Sequence, residues 1–288
     1  MRFTIKILHW FLLKFRIFCW IIYGIFCKSI TISTKQGIFT VMTEDGAIGK
    51  SLYTTKEFEL DFMLKAMELL RKLELCPPQG QGTFLDVGAN NGVISIGMLH
   101  TGELEKAIAI EPEPRNFALL QHNVKQNGLD NKIVCMPCAV SNKKGELLFE
   151  LSPTNFGDHR VRVDMKGGER FNESKRQTIE VPCKTIDEII DTPISVIWID
   201  VQGYEGYAFL GAKNLLSKGI PVVSEIWLYG IKRAGMSQEQ FCEIARTFWS
   251  SYWVLRGGKF VKYPIDTLNC LFDELGNGRG SCNVIFTR

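Results

Sequence analysis

Two short apolar segments of this chain each end at a carboxylate. Residues 83–87 have the pattern of a buried strand that carries Asp86, and a second apolar run ends at Glu111. After the first run, Gly88 and Gly92 bracket a tight turn, and an apolar helical segment follows. Glycine lets a backbone adopt positive φ and approach a ligand closely. A strand, a glycine turn and a helix in this order predict the first unit of a nucleotide-type α/β site.

The turn sequence G-A-N-N-G differs from the dinucleotide fingerprint G-x-G-x-x-G. Asp86, just before the turn, would repel a pyrophosphate but could hold the ammonium group, or a bound water, of an amino-acid-like cofactor. This favours S-adenosylmethionine over NAD. In a doubly wound sheet, an acid about 20 residues beyond the glycines meets the ribose hydroxyls, which assigns this role to Glu111. Two alternatives stay open: a purely structural turn, and a solvated acid at the end of a strand.

Four stretches of the chain resemble the FkbM family of S-adenosylmethionine-dependent methyltransferases. They are DVGANNG at residues 86–92, AIEPEPRNFALLQHNVKQNG at 109–128, PCAVSNKKGELLF at 137–149 and WIDVQGYEGYAFLGA at 198–212. The resemblance implies the class I methyltransferase fold, an α/β, Rossmann-like, doubly wound and mostly parallel seven-stranded sheet with an antiparallel edge strand. It also implies S-adenosylmethionine as cofactor and O-methylation, commonly of sugar or secondary-metabolite hydroxyls.

On this interpretation one group of residues contacts the cofactor. We expect Asp86 and Gly88 at its methionine end, Asn90 in the same turn, Glu111 at the ribose, and Asn116 and Ser141 beside the ribose or adenine. No metal is assigned.

Three further residues are candidates for the acceptor end and for catalysis. Asp200 follows an apolar strand that, by chain order, lies beside residues 83–87, so it should face the methyl group. His159 lies in a polar loop, residues 152–176, within a G-D-H-R string similar to one in FkbM-like sequences. A histidine there is a candidate base, and a surface histidine is the alternative. Glu225 lies within an apolar strand and therefore needs a partner or a site.

The C-terminal half contains two segments of simpler pattern. Residues 205–218 predict one helix whose first residue, Glu205, is either a capping acid or a functional one. Residues 269–280 are glycine-rich and predict an irregular loop.

The first thirty residues contain five Lys or Arg, no acid and many aromatics. Their longest uninterrupted apolar run, residues 17–27, is eleven residues long, whereas a spanning helix needs about 20. On a helical wheel, one broad side carries Arg2, Lys6, His9, Arg16 and Lys28. This pattern predicts a helix lying in the membrane interface. A helix docked on its own domain or on a partner subunit, and a true span, are the alternatives.

Composition limits the remaining choices. The chain has 288 residues, 45% of them hydrophobic and 23% charged, which is ordinary for a globular protein. A net charge of +3 gives no argument for nucleic acid as a partner. Nine cysteines, an odd number without paired metal spacing, indicate a reducing compartment. We therefore expect a cytoplasmic protein, located at the membrane face if the first helix binds there.

The sequence thus predicts three regions: a basic and aromatic helix at residues 1–30, a hairpin and helix capping the site at residues 31–82, and a methyltransferase domain at residues 83–288. The expected reaction is in-line methyl transfer to a hydroxyl of a sugar, glycan or secondary metabolite, assisted by a general base. The alternatives are a catalytically silent, membrane-attached module of the same fold and an NAD-dependent oxidoreductase.

Overall fold

The N-terminal part of the chain forms a long helix, a β-hairpin and two shorter helices. A computed structural model describes residues 2–163 and 169–288, with side chains described from residue 10 onward. The first elements are α1 (Arg2–Phe26), β1 (Ser29–Thr34), β2 (Gly37–Met42), α2 (Ile48–Thr55) and α3 (Leu60–Lys72). The structure forms the predicted hairpin, with β1 antiparallel to β2.

The remainder of the chain builds a larger α/β unit. Its elements are β3 (Thr83–Val87), α4 (Val93–His100), β4 (Lys106–Ile110), α5 (Pro114–Gln126), β5 (Ile133–Met136), β6 (Ala139–Val140), β7 (Gly145–Glu150), β8 (Arg160–Val161), β9 (Thr178–Lys184), α6 (Ile186–Ile189), β10 (Val196–Ile199), α7 (Glu205–Leu210), α8 (Lys213–Leu216), β11 (Val222–Ile226), α9 (Leu228–Arg233), α10 (Gln238–Phe248), β12 (Ser251–Arg256), β13 (Lys259–Pro264), α11 (Leu268–Leu275) and β14 (Cys282–Thr287). Short 3₁₀ turns lie at Phe156–Asp158, Glu173–Lys175 and Ile265–Thr267.

The centre of the molecule is an eight-stranded sheet of order β13-β12-β14-β11-β10-β3-β4-β5. Strands β11, β10, β3, β4 and β5 pair in parallel. Strand β14 lies antiparallel between β11 and β12. The predicted fold class, a mostly parallel Rossmann-like α/β sheet, is confirmed. The sheet has eight strands rather than seven, because β13 forms a hairpin with β12 and becomes the edge.

The central sheet is buried on both faces because its side chains alternate between two cores. Leu85 and Val87 of β3 belong to the core shared with α7, α8 and α10. Phe84, between Thr83 and Leu85, points to the opposite core, which contains residues of α3, α4 and the N-terminal hairpin. An apolar run without polar alternation is typical of such a two-sided strand. All carboxyl ends of the parallel strands therefore meet at one edge, where polar residues can collect.

A second, smaller sheet has the order β6-β9-β7-β8. The predicted polar loop at residues 152–176 contributes β8 and two 3₁₀ turns, and its residues 164–168 lie outside the described residues. A buried ion cluster holds this region: the carboxylate of Glu150, fully buried, lies 3.1 Å from Arg160 and 2.8 Å from Arg233. These ion pairs join β7 to β8 and α9.

Two sequence predictions in the C-terminal half are wrong. Residues 205–218 form two short helices, because the Gly211 carbonyl accepts the N–H of Asp187 instead of continuing the helical pattern. Residues 269–280 are not irregular throughout, since α11 occupies much of the segment. The buried side chains of Leu268, Leu271 and Phe272 supply the three- and four-residue spacing that stabilises this helix.

Helix α1 packs on the rest of the protein along one narrow face. Trp20 is 5% exposed and contacts the Tyr53 ring of α2 at 5.6 Å, and Arg16 donates to the Thr54 carbonyl. The opposite face carries Phe11, Phe15 and Phe18, which are 57–63% exposed. The structure thus docks this helix on its own domain and leaves an apolar face free. Among the described residues, no helix combines the length and apolar character needed to cross a membrane.

Candidate functional site

The glycine turn after β3 passes directly over the end of β10. A Cβ added at Gly88 would lie 1.9 Å from the Asp200 carbonyl oxygen, and Gly88 has φ +89°. Only glycine satisfies both conditions. The Ile110 carbonyl accepts the N–H of Gly88 at 2.9 Å, so the turn is tied to β4 as well. The ends of three neighbouring strands are thereby brought to one point.

Glu111, at the end of β4, holds the same turn with its side chain. One carboxylate oxygen accepts the Asn90 N–H at 2.9 Å and the other accepts the Glu113 N–H at 2.8 Å. Each carboxylate oxygen keeps capacity for a further donor. Burial raises the pKa of Glu111 to about 8. Two hydroxyl donors, such as those of a ribose, would offset the free-energy cost of burying this carboxylate.

A narrow pocket of about 50 Å³ lies beside this turn. Its wall includes Gly88, Asn90, Glu111, Asn116, His159 and Asp200, six of the nine site residues that the sequence predicted. The side-chain amides of Asn90 and Asn116 donate to the Phe156 carbonyl at 2.8 and 3.1 Å, so residues 152–159 lie across the pocket. The pocket is narrow because this segment lies across it.

Two buried polar atoms of the pocket wall, Asn116 Oδ1 and His159 Nε2, have no hydrogen-bond partner among the residues that the structure describes. Unpaired buried polar atoms are costly, and they are expected where a ligand supplies the partner. Since Asn116 donates through Nδ2, its Oδ1 offers an acceptor. An adenosine group carries both the donor and the acceptors needed to match these atoms. The residues present therefore fit an adenosine-containing cofactor.

The hydrogen bonding of His159 fixes its tautomer. Its Nδ1 accepts the Ser152 N–H at 2.9 Å, so the neutral ring carries its hydrogen on Nε2. Burial, with Arg115 and Arg176 nearby, lowers the pKa of His159 to about 4. A neutral ring with hydrogen already on Nε2 donates into the pocket and is poorly suited to accept a proton there. The geometry thus favours cofactor binding over the base role that the sequence suggested.

Two predicted cofactor residues do not line the pocket. The Asp86 carboxylate accepts hydrogen bonds from Ser95 Oγ at 2.6 Å and Ser95 N at 3.1 Å, and burial raises its pKa to about 7. The Ser141 hydroxyl lies 3.2 Å from the Tyr204 hydroxyl, behind the wall. Both side chains are directed to neighbouring elements, so they support the site from behind.

At the other end of the pocket, one amide links two carboxylates. Gln202 Nε2 donates to Asp200 at 2.7 Å and to Glu225 at 3.1 Å. Burial raises the pKa of Asp200. Burial and the neighbouring Asp200 raise the pKa of Glu225 well above its ordinary value. Groups with raised pKa values at a strand edge suit proton transfer near neutral pH. Gln202 was missed, although it stands two residues after Asp200 in the same motif.

Glu205, the first residue of α7, holds the turn that precedes this helix. One of its oxygens accepts the N–H groups of Val201 at 3.0 Å and Gly203 at 3.1 Å, which fixes the turn that carries Gln202. Its other oxygen has no hydrogen-bond partner among the described residues, and burial raises the pKa of Glu205 to about 8. These bonds go to the turn and not to the N–H groups of the helix, whose N-terminus has no side-chain cap in the described part of the chain.

Glu59 is a second residue that the sequence did not indicate. It precedes α3 with φ +53°, and its carboxylate accepts from Asn283 at 3.2 Å. Burial, together with Asp200, raises the pKa of Glu59 to about 7. No local pattern marks Glu59, because its partner is 224 residues away in sequence. Within the described part of the chain, no three His, Cys, Asp or Glu side chains are placed to hold a metal ion.

An open cleft of about 1320 Å³ begins where the pocket ends. Gln202 lines both cavities, and Glu225, Trp227, Phe171 and Arg279 line the cleft. A small enclosed pocket that joins a wide cleft at a pair of carboxylates can hold a cofactor and a larger acceptor on either side of the reacting atoms.

A family model and several solved structures are similar to this chain. The methyltransferase FkbM domain pattern matches residues 86–250. An FkbM methyltransferase structure from Methylobacillus flagellatus is 15% identical, with a TM-score of 0.43, over 82% of this chain and 52% of that one. This chain thus spans about half the length of that protein. Precorrin-6y C5,15-methyltransferase from Geobacter metallireducens is 9% identical, with a TM-score of 0.39, over 76% of this chain and 87% of that one.

A third similar structure is TYW2 from P. horikoshii in complex with MeSAdo. It is 13% identical, with a TM-score of 0.40, over 90% of this chain and 70% of that one. No curated protein matches the sequence.

The sheet order defines a Rossmann-like α/β protein with a pocket at the carboxyl edge of its parallel strands. Because the matched pattern covers more than half of the sequence, the chain belongs to the FkbM methyltransferase family.

Proposed function

We propose that the protein is an S-adenosylmethionine-dependent O-methyltransferase acting on a hydroxyl group in the large cleft. The observation that carries this proposal is the pair of unpartnered buried atoms, Asn116 Oδ1 and His159 Nε2, beside the Glu111 carboxylate. Together they supply an acceptor, a donor and a ribose-binding carboxylate in one pocket. Family membership supports methyl transfer, and a sugar, glycan or secondary metabolite is the acceptor class that follows from it.

The cofactor, when bound, supplies an electrophilic methyl group. The chain holds its adenosine end with Glu111, Asn116 and His159. Asp200 lies where the pocket meets the cleft, and Gln202 positions the Asp200 and Glu225 carboxylates relative to each other. A raised pKa makes a carboxylate a stronger base, and one of the two takes the hydroxyl proton. Because these side chains are fixed, they align the acceptor hydroxyl with the methyl group. This positioning supplies much of the rate enhancement.

Calorimetry with S-adenosylhomocysteine, S-adenosylmethionine and NADH tests the proposal directly. We expect both sulfur cofactors to bind and NADH not to bind. NADH binding without the other two would support an oxidoreductase instead. A screen of hydroxyl acceptors with methyl-labelled S-adenosylmethionine then tests catalysis, and binding without transfer to any acceptor class would favour a catalytically silent module.

We also propose that helix α1 binds an anionic membrane surface. Its exposed side is apolar opposite Trp20, where Phe15 is 63% and Ile25 67% exposed. The exposed Lys14 lies 5.6 Å over the Trp10 ring, beside this apolar face. Residues 1–43 contain six Lys or Arg and no acid, so pairing with a second copy would oppose like charges. Exposed aromatics with flanking basic residues are the pattern of interfacial helices.

Liposome sedimentation tests this surface with the full chain. Replacing Phe11, Phe15 and Phe18 together by Ser should abolish binding to vesicles that contain phosphatidylserine. The matched control replaces Val134, Leu148 and Val261, exposed apolar residues outside α1, and should bind as the wild type does. Salt should weaken binding, because each basic group near such a surface contributes about 1 kcal/mol. Dimerisation by light scattering, without sedimentation, would show that a second copy covers the helix.

A further inference from the structure

The outer wall of the cleft contains an aromatic ring covered by guanidinium groups. The Phe171 ring has the Arg160 guanidinium 5.5 Å and the Arg279 guanidinium 5.2 Å from its centroid. Backbone contacts hold Phe171 in place, since its N–H donates to Glu173 at 2.8 Å. Trp227, which donates to the Gly278 carbonyl at 2.8 Å, packs against the same ring. The wall is therefore a fixed aromatic surface.

Two arginines on this wall have no acidic partner. Arg170 and Arg279 line the cleft, both are exposed, and neither forms an ion pair within the described part of the chain. The Arg279 guanidinium lies over the Phe171 ring and the Arg170 guanidinium over the Tyr229 ring, and the centroids of these two rings are 5.3 Å apart. Two guanidinium groups on neighbouring rings of one cleft wall offer paired donors to an anion in the cleft.

A buried ion cluster behind the wall holds the segment that carries Arg170. The guanidinium groups of this cluster, those of Arg160, Arg162, Arg176 and Arg233, meet the carboxylates of Glu150, Asp158 and Glu173. One oxygen of Glu173 also accepts the N–H groups of Arg170 at 3.1 Å and Phe171 at 2.8 Å. The cluster therefore fixes the backbone from which Arg170 and Phe171 line the cleft.

Among the described residues, the charged side chains that line the cleft are five cations and four acids. They are Arg115, Arg170, Lys175, Arg176 and Arg279, and Glu44, Glu113, Asp158 and Glu225. Asp158 pairs with Arg176, and Glu113 lies 3.9 Å from Arg115. Glu225 lies with Asp200 at the inner end of the cleft. Arg170 and Arg279 therefore stay available to an anion in the cleft.

We propose that Arg170 and Arg279 bind an anionic group, a carboxylate or a phosphate, on the methyl acceptor. The acceptor is then an acidic or phosphorylated polyhydroxy compound whose hydroxyl reaches Asp200 and Glu225. Guanidinium groups match such anions through paired hydrogen bonds, and each charge-assisted contact changes affinity by about tenfold or more. The choice of acceptor rests on the proposed function, whereas the anion site itself does not.

Ligand-observed NMR titrations of the full chain test the proposal. The probes are glucose, glucuronate and glucose 6-phosphate, each added to protein saturated with S-adenosylhomocysteine. We expect at least one anionic probe to bind about tenfold tighter than glucose, and the tighter of the two identifies carboxylate or phosphate as the group bound. The Arg170→Gln/Arg279→Gln variant should bind each of the three probes as weakly as the wild type binds glucose. The control Arg246→Gln, an exposed arginine paired with Asp266 on another surface, should behave as the wild type does.

Equal binding of all three probes to the wild type would overturn the proposal. So would a preference for anions that survives in the Arg170→Gln/Arg279→Gln variant. Calorimetry with S-adenosylhomocysteine on the same samples distinguishes failure of the anion site from failure of the proposed function. Absent cofactor binding would remove the proposed function, while the comparison of charged and neutral probes would still decide on the anion site.

Discussion

His159 Nδ1 lies 2.9 Å from the backbone nitrogen of Ser152 and accepts its hydrogen, which leaves Nε2 as a donor towards the cofactor pocket. His159→Leu should therefore weaken S-adenosylhomocysteine binding by about 0.5–1.5 kcal/mol, the net worth of one hydrogen bond. His159→Gln, which keeps a side-chain donor, should retain most of the affinity. Calorimetry checks both variants. Normal affinity of His159→Leu combined with a large loss of turnover would restore the base role.

Glu111 should discriminate the ribose hydroxyls of the cofactor. Because the carboxylate also holds the Asn90 N–H, a simple affinity loss in Glu111→Ala mixes two effects. We therefore compare S-adenosylhomocysteine with its 2′-deoxy and 3′-deoxy analogues. The wild type should prefer the parent compound by about 1.5–3 kcal/mol over at least one analogue, and Glu111→Ala should lose that preference. An equal preference in the wild type and in Glu111→Ala would show that the ribose does not bind at Glu111.

Gly88→Ala should destabilise the fold far more than a matched glycine substitution. Gly128 has φ +66° with nothing within 4 Å of an added Cβ, whereas the Cβ at Gly88 would lie 1.9 Å from a carbonyl oxygen. Gly128→Ala should cost only the positive-φ penalty, about 1–2 kcal/mol. Gly88→Ala should exceed it by at least about 2 kcal/mol in urea unfolding. Similar losses in the two variants would show that the turn can move away from β10.

Asp200 should act in turnover and not in cofactor affinity. Asp200→Asn keeps the shape and an acceptor for Gln202 but cannot take a proton. With an acceptor from the screen, we expect turnover to fall by about 10²-fold or more, the usual contribution of a general base. S-adenosylhomocysteine affinity should change little. If turnover persists, Glu225→Gln is the next variant to measure, since the same amide links both carboxylates.

Glu205 should make the protein less stable as the pH rises. Its folded pKa of about 8 exceeds the ordinary value of 4.5, so between these values the folded state binds more protons and stability falls with increasing pH. Glu205→Gln keeps one oxygen that can accept the N–H groups of Val201 and Gly203, and it removes the charge. Its Tm should approach that of the wild type near pH 5.5 and exceed it near pH 9 by several degrees, at about 2–4 °C per kcal/mol. The exposed Glu146→Gln is the control, and parallel curves for both variants would contradict the assignment.

The sequence alone determined the fold class and named several residues that share one pocket. Gly88, Asn90, Glu111 and Asn116 all line that pocket, and their contact with a cofactor stays a prediction. Chain order suffices here, because each residue directly follows a buried parallel strand or opens the next helix, and all such ends meet at one edge of the sheet. The family could be recognised for the same reason, since its motifs are these local turns.

Only the tertiary structure decided the directions of side chains and the pairing of distant residues. Asp86 turned to Ser95 and His159 to Ser152, because a buried polar atom takes whichever partner packing brings within reach. Glu59 reached Asn283 across 224 positions, a contact that no local pattern encodes. Gln202 became the link between two carboxylates only when β10 and β11 paired in register. Spacing along the chain fixes which residues stand at an edge, and packing fixes what each of them contacts.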